Sequence, residues 1–360
     1  MILPLKISPI GENESIFLDI VRFISAQLVF FGHLLSFLHG NEVMIGGRIP
    51  IQNLGVVVFF ILSGYLICRT LPKYADFKEF FIDRFARIYV TLVPCLALIA
   101  LMDYAAMMYG QYSYGSAFNI CTWIGNLFML QDYPILQRGL GLSDPLITSF
   151  GSARPLWTLA VEWWLYMFFG YICLTKRPTI IAIAILAIVP VIFATVGRGQ
   201  GLTFFWLFGA AIIYVTRLDI KMRWLLCIVA TCLALYGARV VISKDFYDLQ
   251  ANIFLSALFC ALLMWSRRST FFCLFPAMLK SLFQILAGAS FALYILHYTI
   301  IELLLSIDTA KSSVGALSFA AANGLAVLIY LAFDRNHKKV GMFIRKVLSR
   351  PALNGNGDAA

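Results

Sequence analysis

Long apolar runs alternate with short polar and basic connections along almost the whole chain. A helix of about 20 apolar residues crosses the hydrocarbon core of a bilayer, so runs of this length predict membrane-spanning helices. Ten spans are predicted, at residues 17–38, 54–71, 88–108, 152–174, 179–196, 202–215, 224–242, 251–265, 285–307 and 314–333. The pattern therefore predicts an all-α, polytopic membrane protein with about ten transmembrane helices.

Two further apolar segments do not fit a full span. The run CTWIGNLFML inside the long connection 109–151 is too short to cross the hydrocarbon core. Segment 269–284 is interrupted by Pro276. We expect the first segment to be re-entrant or interfacial and the second to be interfacial.

Composition supports a membrane protein without a separate soluble domain. The 360 residues are 61% hydrophobic and 13% charged, whereas soluble domains contain about 25% charged residues. Residues 1–350 are predicted to form a single membrane domain, and residues 351–360 a flexible polar tail. The first apolar run is too long for a signal peptide and has no small-residue cleavage site, so it is expected to remain as a helix.

The excess of positive charge predicts the orientation of the chain rather than a nucleic-acid partner. The formal net charge is +10, and most of the 28 Lys and Arg residues fall in alternate connections. One of these connections carries five basic residues between positions 69 and 87. Because cytoplasmic loops of membrane proteins are enriched in Lys and Arg, both termini are predicted to be cytoplasmic.

The eight cysteines are scattered and form no C-x-x-C or Cys/His cluster. This spacing supports neither a zinc site nor a disulfide framework, so no metal is predicted.

The first predicted span carries Asp19, Arg22 and His33. Ionisable side chains inside a bilayer are costly, and each is therefore a candidate functional residue. Arg22 and His33 are eleven residues apart, close to three helical turns, and so they share one face. In the structural alternative, Asp19 pairs with Arg22 and His33 forms a hydrogen bond with a neighbouring helix.

The fourth span carries Glu162, with Tyr166 one turn further along the same face and Trp157 near the start. A carboxylate inside the membrane needs a partner. In the structural alternative that partner is a basic residue on another helix, and Trp157 belongs to an interfacial aromatic belt.

His297 lies in the ninth span, one turn after Tyr294, and its structural alternative is a packing histidine. His33, Glu162 and His297 all fall in the outer half to the middle of the membrane, and they could share one cavity.

Arg84 and Arg87 lie one turn apart in a segment interpreted as a cytoplasmic loop. Two guanidinium groups on one face can bind phosphates, and the alternative is a positively charged membrane anchor. Ser63 precedes Gly64 in the second span, but no G-x-S-x-G pattern surrounds it, which disfavours a nucleophilic role.

Together these motifs resemble those of the acyltransferase-3 family of integral membrane acyltransferases, which mostly O-acetylate extracytoplasmic glycans. Four motifs match firmly: R-x10-H with its preceding Asp (Asp19, Arg22, His33), the run GVVVFFILSGYLI (residues 55–67), RFARI (Arg84, Arg87, Ile88) and WTLAVE (Trp157, Thr158, Leu159, Glu162). The late run SFALYILH with His297 is a fifth, looser match.

The resemblance implies a cell (inner) membrane enzyme that uses acetyl-CoA, or another acyl-CoA, as donor. Its acceptor would be a hydroxyl of a surface glycan or lipid-linked oligosaccharide. We expect Arg22, Arg84 and Arg87 to bind the donor, and Tyr166, His297 and Trp157 to contact substrate. His33 would act as general base with Glu162 orienting it, although covalent transfer through His33 is an alternative.

Two other functions use similar intramembrane charges. A glycan or lipid transporter or flippase could line its path with them, but it would not consume acyl-CoA. A polyprenyl-sugar glycosyltransferase would more naturally carry several acidic residues in its first external loop, where this chain has Glu42.

Overall fold

The computed structural model describes residues 9–45, 49–109, 112–132, 146–195, 201–242, 247–307 and 311–348, and these residues are almost entirely helical. The predicted tail at residues 351–360 lies outside them. The helices are α1 (Glu12–His39), α2 (Ile51–Thr70), α3 (Phe77–Met108), α4 (Ile120–Leu127), α5 (Leu156–Leu174), α6 (Ile180–Thr195), α7 (Leu202–Val215), α8 (Met222–Ile242), α9 (Leu249–Arg268), α10 (Ala277–Ile307), α11 (Lys311–Ala332) and α12 (His337–Leu348). Two strands of two residues each, β1 (Met44–Ile45) and β2 (Ile49–Pro50), pair antiparallel between α1 and α2.

Each of the ten predicted spans coincides with a helix. Within the described ranges, eight helical segments are long and apolar enough to cross a membrane, and α7 is a shorter apolar helix. The chain is therefore an all-α, multi-pass membrane protein. Most of the run CTWIGNLFML lies in α4, which has only 8 residues and is too short to span.

The prediction of a loop around Arg84 and Arg87 was wrong, because α3 begins eleven residues before the predicted span. Asp76 caps the helix by accepting a hydrogen bond from the Glu79 amide at 2.9 Å. The Glu79 carboxylate in turn accepts one from the Ala75 amide at 3.0 Å. This reciprocal arrangement resembles a capping box and starts the helix within the basic segment. Both arginines consequently have fixed positions on a helix.

Segment 269–284 is not a separate interfacial piece. A short 3-10 turn, Phe271–Leu274, precedes Pro276, and α10 begins at Ala277. The residues from 277 onward therefore form the first two turns of the helix that carries His297.

Helices α2 and α7 approach each other closely at two glycines. A methyl group on Gly64 would lie 1.9 Å from the Trp206 carbonyl oxygen, and one on Gly209 would lie 2.0 Å from the Ile61 oxygen. Small residues permit this backbone approach between membrane helices. The contact fixes the face of α2 that carries Ser63.

Helix α1 packs against both α2 and α10. Its Val29 and Phe30 are fully buried, so one face of the helix packs into the bundle. The amphipathic helix α12, which follows the last span, packs on the first half of α3. These contacts surround the cavity described next with helices.

Candidate functional site

A cavity of about 170 Å³ lies between five helices, near the middle of α1. It brings together four of the candidate residues, Arg22, Arg84, Arg87 and Glu162, with Tyr166. The other lining residues are Val56, Phe59, Phe60, Leu62, Ser63, Leu66, Ile67, Ile88, Thr158, Leu159, Ser290, Phe291 and Tyr294.

Two of the three arginines that line the cavity are paired with carboxylates. Arg84 donates to Asp83 at 2.5 Å and to the Tyr74 hydroxyl at 2.9 Å. Burial raises the pKa of Tyr74 to about 12, so its hydroxyl stays protonated at neutral pH. Arg87 forms an ion pair with Asp334, a buried residue that follows α11. The charges of Arg84 and Arg87 are thus largely balanced.

Arg22, the third arginine of the cavity, differs from Arg84 and Arg87 in its pairing. Its guanidinium forms no hydrogen bond or ion pair with any residue that the structure describes, although Asp19, Arg87 and Tyr166 are close enough to interact electrostatically. Asp19 therefore does not neutralise Arg22 in the way that the structural alternative requires. A half-buried guanidinium without a carboxylate partner leaves positive charge available at the cavity.

A chain of hydrogen bonds with a single direction runs through the opposite wall. The Trp206 indole can only donate, and it donates to Ser63 Oγ at 3.2 Å. Tyr166 donates its hydroxyl proton to Glu162 Oε1. The Ser63 hydroxyl, which lies 2.7 Å from the Tyr166 oxygen, must therefore donate to Tyr166.

The direction of these hydrogen bonds bears on two expectations from the sequence, a nucleophilic Ser63 and a Glu162 that orients His33. The Ser63 hydroxyl is hydrogen bonded towards Tyr166 and Glu162, and no histidine contacts Ser63 among the described residues, so the geometry disfavours a serine nucleophile. Glu162 accepts a hydrogen bond from Tyr166 and not from His33. The direct contact in which Glu162 orients His33 is therefore not present.

A hydrogen bond between α5 and α10 lies in the cavity lining. Thr158 donates to the Pro155 carbonyl at 2.9 Å, so the Tyr294 hydroxyl, 2.6 Å from Thr158 Oγ1, donates to Thr158. The Tyr294 ring lies 6.0 Å from the His297 ring, which is one turn further along α10. Tyr294 therefore contacts both the cavity and His297.

The structure brings His33 and His297 together. Their rings are stacked, with centroids 5.3 Å apart and an interplanar angle of 29°. The Tyr298 ring packs edge-on against His33 at 5.2 Å. His297 Nδ1 lies 3.1 Å from the Leu293 carbonyl and so carries the proton, which leaves Nε2 as a buried acceptor without a partner among the described residues.

Beyond the histidines lies a polar cluster that the sequence interpretation missed. Asp103 is 1% exposed and accepts hydrogen bonds from the Ser152 amide at 2.9 Å and the Ser152 hydroxyl at 2.6 Å. The Ser152 oxygen lies 2.7 Å from the Thr299 hydroxyl on α10. Gly151, at φ +52°, allows this approach, because a methyl group there would lie 1.9 Å from Asp103 Oδ2.

Two tyrosines complete this polar cluster, which we call the outer cluster (Asp103, Tyr114, Ser152, Tyr298, Thr299 and Glu302). The Tyr114 and Tyr298 hydroxyls lie 3.0 Å apart. Burial, reinforced by Tyr298, raises the pKa of Tyr114, so the phenol remains a hydrogen-bond donor at neutral pH. Glu302 is one turn after Tyr298 on α10 and faces the same group. An intramembrane Asp103 and Glu302 were detectable from sequence by the rule that singled out Glu162.

Trp157 lies in neither site. It is half-buried and packs against the edge of the hydrophobic core, and it does not line the cavity.

Comparison with known proteins agrees with these motifs. An acyltransferase domain family matches residues 15–333 of the chain. No solved structure matches the chain.

Two curated proteins are similar over part of the chain. The chain is 27% identical over 152 residues to an O-acetyl transferase of Shigella phage Sf6, covering 42% of this chain and 44% of that protein. It is 26% identical over 162 residues to Nodulation protein 10 of Rhizobium leguminosarum bv. viciae, covering 41% of each. The chain thus spans less than half the length of these relatives. Because the family match covers most of the chain, including Arg22, His33, Glu162 and His297, the chain belongs to the acyltransferase-3 family.

Proposed function

We propose that the protein is a membrane O-acyltransferase that moves an acetyl or other short acyl group from cytoplasmic acyl-CoA to a hydroxyl of an extracytoplasmic glycan. The observation that carries the proposal is the arrangement of α1. Arg22 faces a cavity lined by three arginines, and His33, about 16 Å further along the same helix, lies beside a second, polar cluster. One helix thus connects a cationic site to a histidine site.

The cationic site suits the donor. Coenzyme A carries phosphates, and guanidinium groups bind phosphate through paired, charge-assisted hydrogen bonds. Arg22 has no partner among the described residues and is the first candidate for this contact, with Arg84 and Arg87 on the neighbouring helix. The cavity of about 170 Å³ is smaller than the roughly 300–1,000 Å³ of pockets that hold whole drug-sized ligands. It would hold one end of the donor.

The histidine site suits proton transfer. His33 would accept the proton of the sugar hydroxyl while the hydroxyl oxygen attacks the thioester carbonyl. The C–S bond then breaks, and the leaving thiolate of coenzyme A takes the proton from His33. An acyl-histidine intermediate at His33 is the alternative route, in which the acyl group passes first to the ring and then to the sugar.

The remaining candidates have supporting roles in this proposal. Glu162 would keep Tyr166 oriented towards the cavity and balance the positive charge of the arginines, in place of the expected contact with His33. His297 would support the His33 ring by stacking. Tyr166 and His297 remain proposed substrate contacts, and Tyr166 is the one that lines the cavity. Trp157 reaches neither site, so its role as a substrate contact is only an expectation from the sequence.

We place the protein in the cell (inner) membrane with both termini cytoplasmic. The distribution of Lys and Arg supports this orientation. The name of the similar O-acetyl transferase from phage Sf6 supports acetyl transfer to an oxygen atom.

The test is acyl transfer by the purified full-length protein in detergent. The donor is acetyl-CoA labelled in the acetyl group, and the acceptor is cell-surface polysaccharide of the source strain, de-O-acetylated by mild alkali. We expect release of free coenzyme A together with labelled polysaccharide, and a parallel reaction with succinyl-CoA defines the acyl group. A protein that binds polysaccharide but neither binds nor consumes acyl-CoA would be a transporter or flippase, and the proposal would be wrong.

A further inference from the structure

Glu302 is an intramembrane carboxylate that the reaction described above does not use. It lies near the end of α10, half-buried, one turn after Tyr298 and five residues after His297. It forms no hydrogen bond or ion pair with any residue in the described part of the chain. Because its side chain is only half-buried and lies near the end of the helix, Glu302 is accessible to a ligand.

The described groups that act on Glu302 are mostly acidic or phenolic, and one cation, Arg154, acts electrostatically on the neighbouring Tyr114. Asp103, Tyr112 and Tyr114 are close enough to interact electrostatically with one another or with Glu302. Asp103 is already satisfied by Ser152, so it offers Glu302 only repulsion. Among the described residues no Lys or Arg forms an ion pair with Glu302, so with respect to them its carboxylate oxygens can accept hydrogen bonds from a ligand.

The chemistry of the group defines that ligand. A carboxylate can accept several hydrogen bonds, and a phenol can both donate and accept one. The Tyr114 and Tyr298 hydroxyls face each other at 3.0 Å, and the Tyr298 ring touches His33. Tyr298 and Glu302 are about 6 Å apart along the helix axis. The arrangement offers adjacent hydrogen-bonding positions next to the proposed general base.

We propose that Glu302, together with the hydroxyls of Tyr114 and Tyr298, binds hydroxyl groups of the acceptor sugar and holds the reacting hydroxyl beside His33. This inference rests on the proposed function and assigns the acceptor side of the same reaction. Glu302 accepts hydrogen bonds from sugar hydroxyls that flank the reacting one. The aromatic rings of Tyr298 and Phe37, packed at 4.8 Å, form the apolar side of the site.

The experiment separates acceptor binding from donor binding. Glu302→Gln, Tyr114→Phe and the wild type are assayed as purified full-length proteins with labelled acetyl-CoA and the de-O-acetylated polysaccharide. Glu302→Gln should raise the KM for polysaccharide about tenfold, and Tyr114→Phe about threefold. The KM for acetyl-CoA should change less than twofold in both. Asp219→Asn, which also removes one negative charge but at a fully exposed side chain, should behave as the wild type.

Each contrary result has a distinct meaning. If wild type transfers acetyl groups and Glu302→Gln has an unchanged KM for polysaccharide, the assignment of Glu302 is overturned. A variant with both KM values raised and a lower melting temperature would show a structural role, which also overturns it. If Glu302→Gln fails to fold, Tyr114→Phe is used instead, because it keeps the aromatic ring. An unchanged KM for polysaccharide in that variant would overturn the assignment. Failure of wild type to transfer at all would instead overturn the proposed function.

Discussion

The cavity and the outer cluster differ in their balance of charges, with arginines in excess in the cavity and carboxylates in the outer cluster. Three guanidinium groups line the cavity, and two of them have carboxylate partners. The outer cluster contains Asp103, Glu302 and several tyrosines around two stacked histidines. The Thr158–Tyr294 hydrogen bond lies between them. A single bundle therefore offers an anion-binding site and a hydroxyl-binding site within a few helical turns.

Each region combines satisfied polar groups with groups that lack a partner. In the cavity wall, the hydrogen bonds from Trp206 to Glu162 are complete, whereas Arg84 Nε is buried without a partner among the described residues. In the outer region, Asp103 is satisfied by Ser152, whereas His297 Nε2 is a buried acceptor without a described partner. Buried groups without partners are costly unless a ligand completes them. Both regions therefore contain groups that a substrate could complete, cationic donors in the cavity and an acceptor in the outer region.

The largest effect is expected for His33→Ala. Loss of a general base typically costs a factor of about 10² to 10⁴ in rate. Transfer to polysaccharide should fall at least ~100-fold, while binding of acetyl-CoA by calorimetry stays within about twofold. His39→Ala, at the exposed end of the same helix, is the control. Retained transfer by a folded His33→Ala protein would remove His33 from catalysis and break the division into two sites.

A smaller and more selective effect is expected for Arg22→Gln. A hydrogen bond to a charged group is worth roughly 1.5–3 kcal/mol, so the KM for acetyl-CoA should rise about tenfold or more. The KM for polysaccharide should not change. Arg217→Gln, an exposed arginine between α7 and α8, is the matched control. An unaltered KM for acetyl-CoA would exclude Arg22 from donor binding.

Gly151→Ala tests the outer region through its backbone. The left-handed φ of +52° costs an L-residue about 1–2 kcal/mol, and the new methyl group would displace Asp103. We expect a lower melting temperature and a KM for polysaccharide raised about threefold, with the KM for acetyl-CoA unchanged. Gly237→Ala, which has free space around it, should leave all three values as in the wild type. An effect on the donor alone would contradict the separation of the regions.

The smallest effect on rate is expected for Ser63→Ala. Its hydroxyl connects Trp206 to Tyr166 but is not a nucleophile, so transfer should fall less than about threefold. The buried indole N–H would lose its acceptor, at a cost of about 1–3 kcal/mol in stability. Ser290→Ala, in the same cavity, removes a hydroxyl bonded only to its own helix and should be milder. Complete loss of transfer in a folded Ser63→Ala protein would restore the serine as a nucleophile candidate.

The sequence predicted the parts of the structure that depend on local periodicity. All ten spans coincide with helices, and the pairing of Tyr166 with Glu162 followed from their spacing of one turn. The start of α3 was missed although its capping signal, Asp76 with Glu79, is present in the sequence. Apolar content alone does not reveal a helix that continues into a basic segment.

The arrangement between helices could not be predicted in the same way. Arg87 with Asp334, and Ser152 with Asp103, join residues that are far apart in the chain. Such pairs depend on how each helix is rotated about its axis in the bundle, and this rotation cannot be predicted from a single sequence. For the same reason the sequence allowed His33, His297 and Glu162 to meet, whereas Tyr294 lies between Glu162 and the two histidines.

The ion pair of Arg87 with Asp334 has a practical consequence for expression and engineering. The family match ends at residue 333, one position before Asp334. A protein truncated at that boundary would keep every candidate motif but lose the buried carboxylate that neutralises Arg87, together with the α12 helix that covers the start of α3. Reporter fusions and crystallisation variants should therefore retain the chain through Leu348, the end of α12.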